Sequence, residues 1–243
     1  MMTELAVLVP VLNRPANVAP LVESFLAGCP DDAQLHFIVS DGDKAEWDAA
    51  DRETRGYLRM KVYSSPSANT WPEKINLAVN YLYRADWFLC AADDITFTPG
   101  WWEATAELRA DPHICVIGTH DSADGTGNPR VAGWTHTCHP LIRASYIRDF
   151  GTWDEPGKAV HDAYSHWFVD DELVNTAKMR RAWAFCPEAV LEHLHPYWGK
   201  GQWDETYTLG ESNAEADKQL WFKRSAQFGP LQPYPEDDLR CPR

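Results

Sequence analysis

Two adjacent carboxylates, Asp93 and Asp94, close the apolar run Trp87-Phe88-Leu89-Cys90-Ala91-Ala92, and Ile95-Thr96-Phe97-Thr98-Pro99-Gly100-Trp101-Trp102 follows. A buried strand of an α/β sheet reads this way when its C-terminal end opens into a site. Neighbouring carboxylates at such an edge repel one another unless something cationic lies beside them. A divalent metal carrying a phosphorylated ligand would relieve the repulsion. An Asp pair capping a helix that starts near Pro99 is the plainer alternative. Farther along, Asp170-Asp171-Glu172 forms a second acidic group, and His193-Leu194-His195 supplies imidazoles. An oxygen-rich site with one imidazole suits Mg²⁺ or Mn²⁺, and Mn²⁺ tolerates the nitrogen better. His136-x-x-His139 and His161-x4-His166 have neither partnering Cys nor a His-Glu-x-x-His helix, so they do not read as structural zinc sites.

The elements that must position these groups begin almost at once. Leu5 to Leu12 is a continuous apolar run, the mark of a buried parallel strand, and Asn13-Arg14-Pro15 breaks it. A helix with Val18, Leu21, Val22, Phe25 and Leu26 on one face follows, stopped by Gly28 and Pro30. Leu35–Ser40 is the second strand, ending at Asp41-Gly42-Asp43; a polar helix runs from Lys44 to about Arg55, and Arg59–Tyr63 is a third strand. Pro72 opens a helix striped by Ile75, Ala78, Val79 and Leu82, and residues 86–92 form the next strand. A helix from Pro99 to Arg109 and a strand over Ile114–Gly118 continue the βαβα alternation, which indicates a mainly parallel, Rossmann-like sheet flanked by helices. Right-handed crossovers place Pro10, Asp41 and Asp93 along one sheet edge.

The pattern changes after Thr119. Residues 119–140 read as a long polar loop, 141–150 as a short strand into a helix, and 151–164 as another loop. A helix over 165–181 carries the acidic triplet near its start. Short strands at 182–185 and 189–194 precede a helix over 204–227, and 229–243, with four Pro, reads as an extended tail. One domain over 1–228 with a C-terminal elaboration is the expected division.

Composition narrows the partners. Lys plus Arg total 22 against 36 Asp plus Glu, a formal net charge of −14, which argues against broad contact with a nucleic-acid duplex or an anionic membrane. The six Cys show no Cys-x-x-Cys spacing, and Cys90 and Cys115 sit in apolar runs, so a reducing, cytoplasmic setting is expected. No signal peptide precedes Leu5, and the longest apolar run is too short to span a bilayer.

Taken in order, Val9-Pro10-Val11-Leu12-Asn13-Arg14-Pro15, Asp41-Gly42, Ala92-Asp93-Asp94 with Pro99-Gly100-Trp101, Asp170-Asp171-Glu172-Leu173, and Pro187-Glu188-Ala189-Val190 through His193 resemble the family 2 nucleotide-sugar glycosyltransferases of the GT-A fold. The resemblance covers roughly residues 5–200. It implies a nucleotide-sugar-binding half over 1–118 and an acceptor-side half over 119–228. Pro10, Leu12, Asn13 and Arg14 would line the nucleotide pocket, Asp41 would accept hydrogen bonds from the base, and Lys74 and Asn76 would contact nucleotide or phosphate. Asp93 would face the ribose. Asp94 would hold the metal, with His193 or His195 completing its shell. Asp170, or its neighbour Asp171, would take the proton from an acceptor hydroxyl in a single inverting displacement. Two positions depart from the pattern: Leu12 stands where the family usually has an aromatic residue, and Ala92 where it has the first Asp of Asp-x-Asp.

The expectation is therefore a metal-dependent, inverting glycosyltransferase that uses a nucleoside-diphosphate sugar, a UDP-sugar first, with an acceptor of open class. A non-catalytic carbohydrate-binding or scaffold protein on the same fold is the competing reading, motivated by 12 Trp and the incomplete Asp triplet. The acceptor side would be the loops carrying Trp134, His136, His139, Trp153, His161, Tyr164 and His166.

Overall fold

A computed structural model describes residues 3–66, 69–82 and 84–228. The expected tail at 229–243 lies outside the described residues. Along the chain run β1 (Thr3–Val11), α1 (Pro15–Gly28), β2 (Gln34–Ser40), α2 (Lys44–Thr54), β3 (Met60–Ser65), α3 (Trp71–Tyr81) and β4 (Ala85–Cys90). Then come β5 (Ile95–Phe97), α4 (Trp101–Ala104), α5 (Ala106–Ala110), β6 (Val116–His120), α6 (Pro129–Ala132), β7 (Leu141–Arg143) and α7 (Ala144–Asp149). The chain closes with α8 (Val169–Met179), β8 (Trp183–His193), a 3-10 turn at Pro196–Trp198 and α9 (Glu205–Ser225).

The strands form one sheet in the order β3-β2-β1-β4-β7-β6-β8-β5. β1 alternates its side chains between two cores. Leu5, Val7, Val9 and Val11 pack with Phe25, Ala49 and Trp101 on one face, while Ala6 and Leu8 pack with Ile75, Tyr146 and Leu173 on the other. That two-sided burial explains its unbroken apolar sequence.

The sheet is mixed: mainly parallel, with β7 and β5 running antiparallel to their neighbours. β1 pairs in parallel with β2 and β4, and β2 with β3, but β7 runs antiparallel between β4 and β6. β6 and β8 are parallel, and β5 is antiparallel to β8. The two short strands expected at 182–194 are one strand, β8, whose register on β6 jumps from Thr119↔Cys186 to His120↔Val190. Pro187 sits in the looped-out residues, where its missing N–H costs no ladder bond. The expected helix at 99–109 is broken at Thr105, whose hydroxyl bonds Trp102 O at 2.7 Å instead of leaving that turn free to continue.

α3 and α8 carry side chains to the sheet edge. α3 opens with a capping box between Thr70 and Glu73, and Trp71 Nε1 donates to Ala91 O at 3.0 Å, tying the helix start to the end of β4. The entry to α8 is held from a distance. Phe168 adopts a left-handed conformation (φ 64°), and just before it Asp217 of α9 accepts the N–H groups of Ser165, His166 and Trp167 at 2.8–2.9 Å. Glu172, buried on α8, receives Arg224 of α9 through two bonds of 2.7 Å and the Tyr164 hydroxyl at 2.9 Å. A buried charge of this kind is tolerated because it is fully paired.

Candidate active site

The C-terminal ends of β1 and β4, the starts of α3 and α8, the end of β8 and the first turn of α9 surround one cavity of about 310 Å³. Of the residues singled out from the sequence, Pro10, Leu12, Arg14, Lys74, Asp93, Asp94, Asp170, His193 and His195 line it. Asn13, Asp41, Asn76 and Asp171 do not line it.

Asp93 and Asp94 are both buried and are served differently. Asp93 Oδ1 accepts from Arg14 Nη1 at 3.2 Å, while Oδ2 is buried with no partner. Burial and the charge of Asp94 hold the Asp93 carboxyl above the usual carboxylate range, against the pull of Arg14. Asp94 Oδ2 faces His193 Nε2 at 3.4 Å and accepts the Tyr207 hydroxyl at 2.7 Å; its Oδ1 is buried without a partner. Burial would raise Asp94 too, but His193 and Tyr207 outweigh it and keep the group well below the usual range. The pair is thus one carboxyl inclined to hold its proton and one firmly ionised. Asp94, with one oxygen 3.4 Å from His193 Nε2 and the other buried without a partner, offers with that imidazole an oxygen and a nitrogen donor of the kind Mn²⁺ accepts.

His195 is not equivalent to His193. Its Nδ1 accepts from Tyr197 N at 3.2 Å and caps the 3-10 turn, and its ring sits among Tyr197, Trp203 and Tyr207. Burial and the neighbouring His193 push it down to about 4. Of the two histidines proposed for a metal, only His193 contacts Asp94 among the described residues.

Cationic groups flank the carboxylates. Lys74 is 2% exposed and donates from Nζ to Val11 O at 2.7 Å, and burial lowers its pKa to about 8 despite Asp43, Glu46 and Asp93 nearby. Arg14 is gripped by Asp204 through Nε (2.7 Å) and Nη2 (3.0 Å), and its guanidinium stacks on the Tyr207 ring at 3.6 Å.

Across the cavity, Asp170 Oδ2 lies 2.9 Å from His136 Nε2, and His136 Nδ1 faces Arg130 Nη2 at 3.2 Å. Arginine can only donate, so Nδ1 is the acceptor and Nε2–H donates to Asp170. Arg130 in turn bonds Asp171. Burial would raise Asp170, but His136, the Asp171 N–H and Arg130 outweigh it and lower its pKa. Asp171 shifts the other way, raised by burial and by Asp170. The tandem carboxylates therefore differ in kind: Asp170 faces the cavity, and Asp171 anchors Arg130.

The sequence profile of Glycosyl transferase family 2 matches residues 6–172, more than half of the chain. The chain belongs to glycosyl transferase family 2. Among solved structures, the fold resembles the mannosyltransferase PcManGT from Pyrobaculum calidifontis, solved in complex with GDP-Man and Mn²⁺, at 13% identity and a TM-score of 0.69, covering 99% of this chain and 69% of that one. It also resembles the glucosyl-3-phosphoglycerate synthase of Mycobacterium tuberculosis in complex with Mn²⁺, UDP and glucosyl-3-phosphoglycerate (12%, TM-score 0.62, 93% and 80% covered). S. aureus TarS 1-349 matches at 12% and 0.63, with 78% and 59% covered. At such identities the likeness establishes the α/β GT-A fold. No curated protein matches the sequence.

Within this family 2 glycosyltransferase, three residues expected at the nucleotide lie outside the cavity lining. Asn76 is 6% exposed; Nδ2 donates to Val160 O at 2.7 Å and Oδ1 accepts from Ala159 N and Val160 N, so it pins the 159–160 loop to α3. Asn13 is exposed, left-handed (φ 55°), and donates its N–H to Asp43 at 3.0 Å. Asp41 is exposed at the end of β2, with Ser64 Oγ at 3.4 Å. On the expected acceptor side, Tyr164 is buried against Glu172 and Trp153 packs on Phe228, whereas His139 and His166 line the cavity.

The sequence reading missed the first turn of α9. Besides Asp204 and Tyr207, Thr206 Oγ1 donates to Leu12 O at 2.9 Å, so this turn closes over the ends of β1 and β4. Nothing in the polar sequence of α9 signals where it docks.

Proposed function

We propose that the protein transfers a sugar from a nucleoside-diphosphate sugar, a UDP-sugar first, to an acceptor hydroxyl with inversion, assisted by a divalent metal. The observation that carries the reading is one cavity lined by Asp93, Asp94, His193 and Asp170 together. Asp94 and His193 Nε2 would hold the cation, Mn²⁺ or Mg²⁺. A metal there supplies Lewis-acid charge to the diphosphate as it departs. Arg14 and Lys74 add fixed positive charge for the same phosphates, and Asp93 is placed for the ribose hydroxyls. Pro10 and Leu12 supply apolar contact on the nucleotide side.

Asp170 accepts the acceptor's hydroxyl proton as that oxygen attacks the anomeric carbon. The bond from the sugar to the diphosphate oxygen breaks in the same displacement, and the nucleoside diphosphate leaves with the electron pair. His136 donates to Asp170 and leaves Oδ1, whose only partner among the described contacts is the Asp171 N–H at 3.0 Å, on the other side of the carboxylate.

Because His136 helps to keep Asp170 ionised, its loss has a defined pH signature. The acid limb of kcat/KM for the parent lies below the usual carboxylate range. In His136→Phe the Asp170 pKa rises, so the limb moves to higher pH. A pH–rate profile checks this, and an unmoved limb would remove His136 from the path of the proton.

UDP with Mn²⁺ is expected to raise the melting temperature by about 5–10 °C at 100 times Kd, and neither alone to do so. Differential scanning fluorimetry with UDP, GDP and CDP, each with and without Mn²⁺, identifies the base. Absence of any shift across the three nucleotides would sink the donor assignment.

A further inference from the structure

A group of donors beside the His193 ring is left unused by the donor reading. Asp121, Cys138 and His193 each offer one ligand atom, and these atoms lie within 4.8 Å of one another. His193 turns Nε2 to Asp94, which leaves Nδ1 for the group, and Nδ1 is buried without a partner. Asp121 is 2% exposed: Oδ2 accepts Asn128 N–H at 2.8 Å, while Oδ1 is buried with no hydrogen bond, His120 Nδ1 standing 3.9 Å away. A Cβ at Gly127 would collide with that carboxylate, so the loop backbone itself walls it in. Cys138 Sγ has Asn128 Nδ2 at 3.8 Å. His139 adds two more unpartnered buried nitrogens, its ring centred 4.7 Å from that of His193.

Buried polar atoms left unpaired carry a desolvation cost, and here several converge from three parts of the chain. A carboxylate, a thiol and an imidazole together match a tetrahedral cation that accepts sulfur, not one that demands oxygen alone. We propose that Asp121, Cys138 and Nδ1 of His193 form a second cation site of the Zn²⁺ class at the edge of the donor cavity, which Cys138 and His193 also line. Binding releases the Cys138 thiol proton to solvent and uses the Nδ1 lone pair. The His193 proton then stays on Nε2, where it points to Asp94 as the observed contact requires.

A neutral imidazole has one lone pair to give. A cation on Nδ1 therefore competes with one on Nε2, and Zn²⁺ here antagonises the donor-side metal. That consequence rests on the proposed function; the site itself does not.

The test is titration of the metal-free, reduced full chain with Co²⁺, followed by absorption spectroscopy. The expected result is one equivalent of Co²⁺ giving a thiolate-to-cobalt charge-transfer band and intense tetrahedral visible bands, both abolished by Zn²⁺. Cys138→Ser removes the charge-transfer band, and Asp121→Asn weakens Co²⁺ binding by about 10- to 100-fold. Asp94→Ala keeps the band. No charge-transfer band in the parent chain overturns the proposal, as does a band that survives Cys138→Ser or disappears in Asp94→Ala. The parent spectrum decides even where a variant fails to fold. Failure here leaves the UDP and Mn²⁺ melting shift untouched, so the two readings are separately testable.

Discussion

Asp170→Asn is expected to bind nucleotide with Mn²⁺ as the parent does and to transfer sugar about 10³-fold more slowly, the usual scale of a positioned general base. The amide keeps the size of the carboxylate and can still accept from His136 Nε2–H, so the geometry of 2.9 Å need not change. What it loses is a place for the acceptor's proton. Single-turnover measurement separates the two effects, because donor affinity stays flat while the chemical step falls. Asp171→Asn is the informative companion. Asp171 holds Arg130 rather than facing the cavity, so its replacement acts through Arg130 and His136 and costs far less. Unchanged transfer in Asp170→Asn would move the base to another residue.

Asp94→Ala is expected to abolish the Mn²⁺-dependent part of nucleotide binding and to reduce transfer by about 10³-fold or more, since removing a metal's charge stabilisation forfeits several kcal/mol. Isothermal titration of UDP at fixed Mn²⁺ reads the first effect directly. Asp94 also partners Tyr207 and His193, so the variant strands two buried polar groups. Tyr207→Phe separates these contributions: it removes the hydroxyl that accompanies Asp94 without touching the carboxylate. If nucleotide binding in Asp94→Ala kept its full Mn²⁺ dependence, the metal would have to sit elsewhere.

Much of the site was legible because it lies where strands end. β1 and β4 are apolar runs that stop abruptly at Asn13 and Asp93, and hydropathy alone locates such breaks. Asp94, His193 and Asp170 fall on one cavity because the crossovers put them on one edge. Strand direction and pairing order carry no hydropathy signal, so the antiparallel β7 between β4 and β6 was not foreseen. β5 is three residues long and is defined only by its partner β8. The bond from Asn76 to Val160 was not legible for a related reason: a polar residue on a helix looks the same whether it faces a ligand or holds a loop 84 residues away. The docking of α9 is the clearest case. Its contacts to Arg14 and Asp94 span 190 and 113 residues, and no local pattern encodes such pairings.

Among the described residues no helix is long and apolar enough to cross a membrane. Exposed Tyr197 and Trp203 group around His195, and Tyr197 and His195 line the cavity.

The most direct test of the central claim is release of nucleoside diphosphate from a panel of sugar nucleotides, with Mn²⁺ or with EDTA, by the parent and by Asp94→Ala. Turnover of at least one donor is expected to require Mn²⁺ and to be lost in the variant. Turnover that is indifferent to EDTA and to Asp94, or glycan binding with no donor consumed across the panel, would contradict that claim.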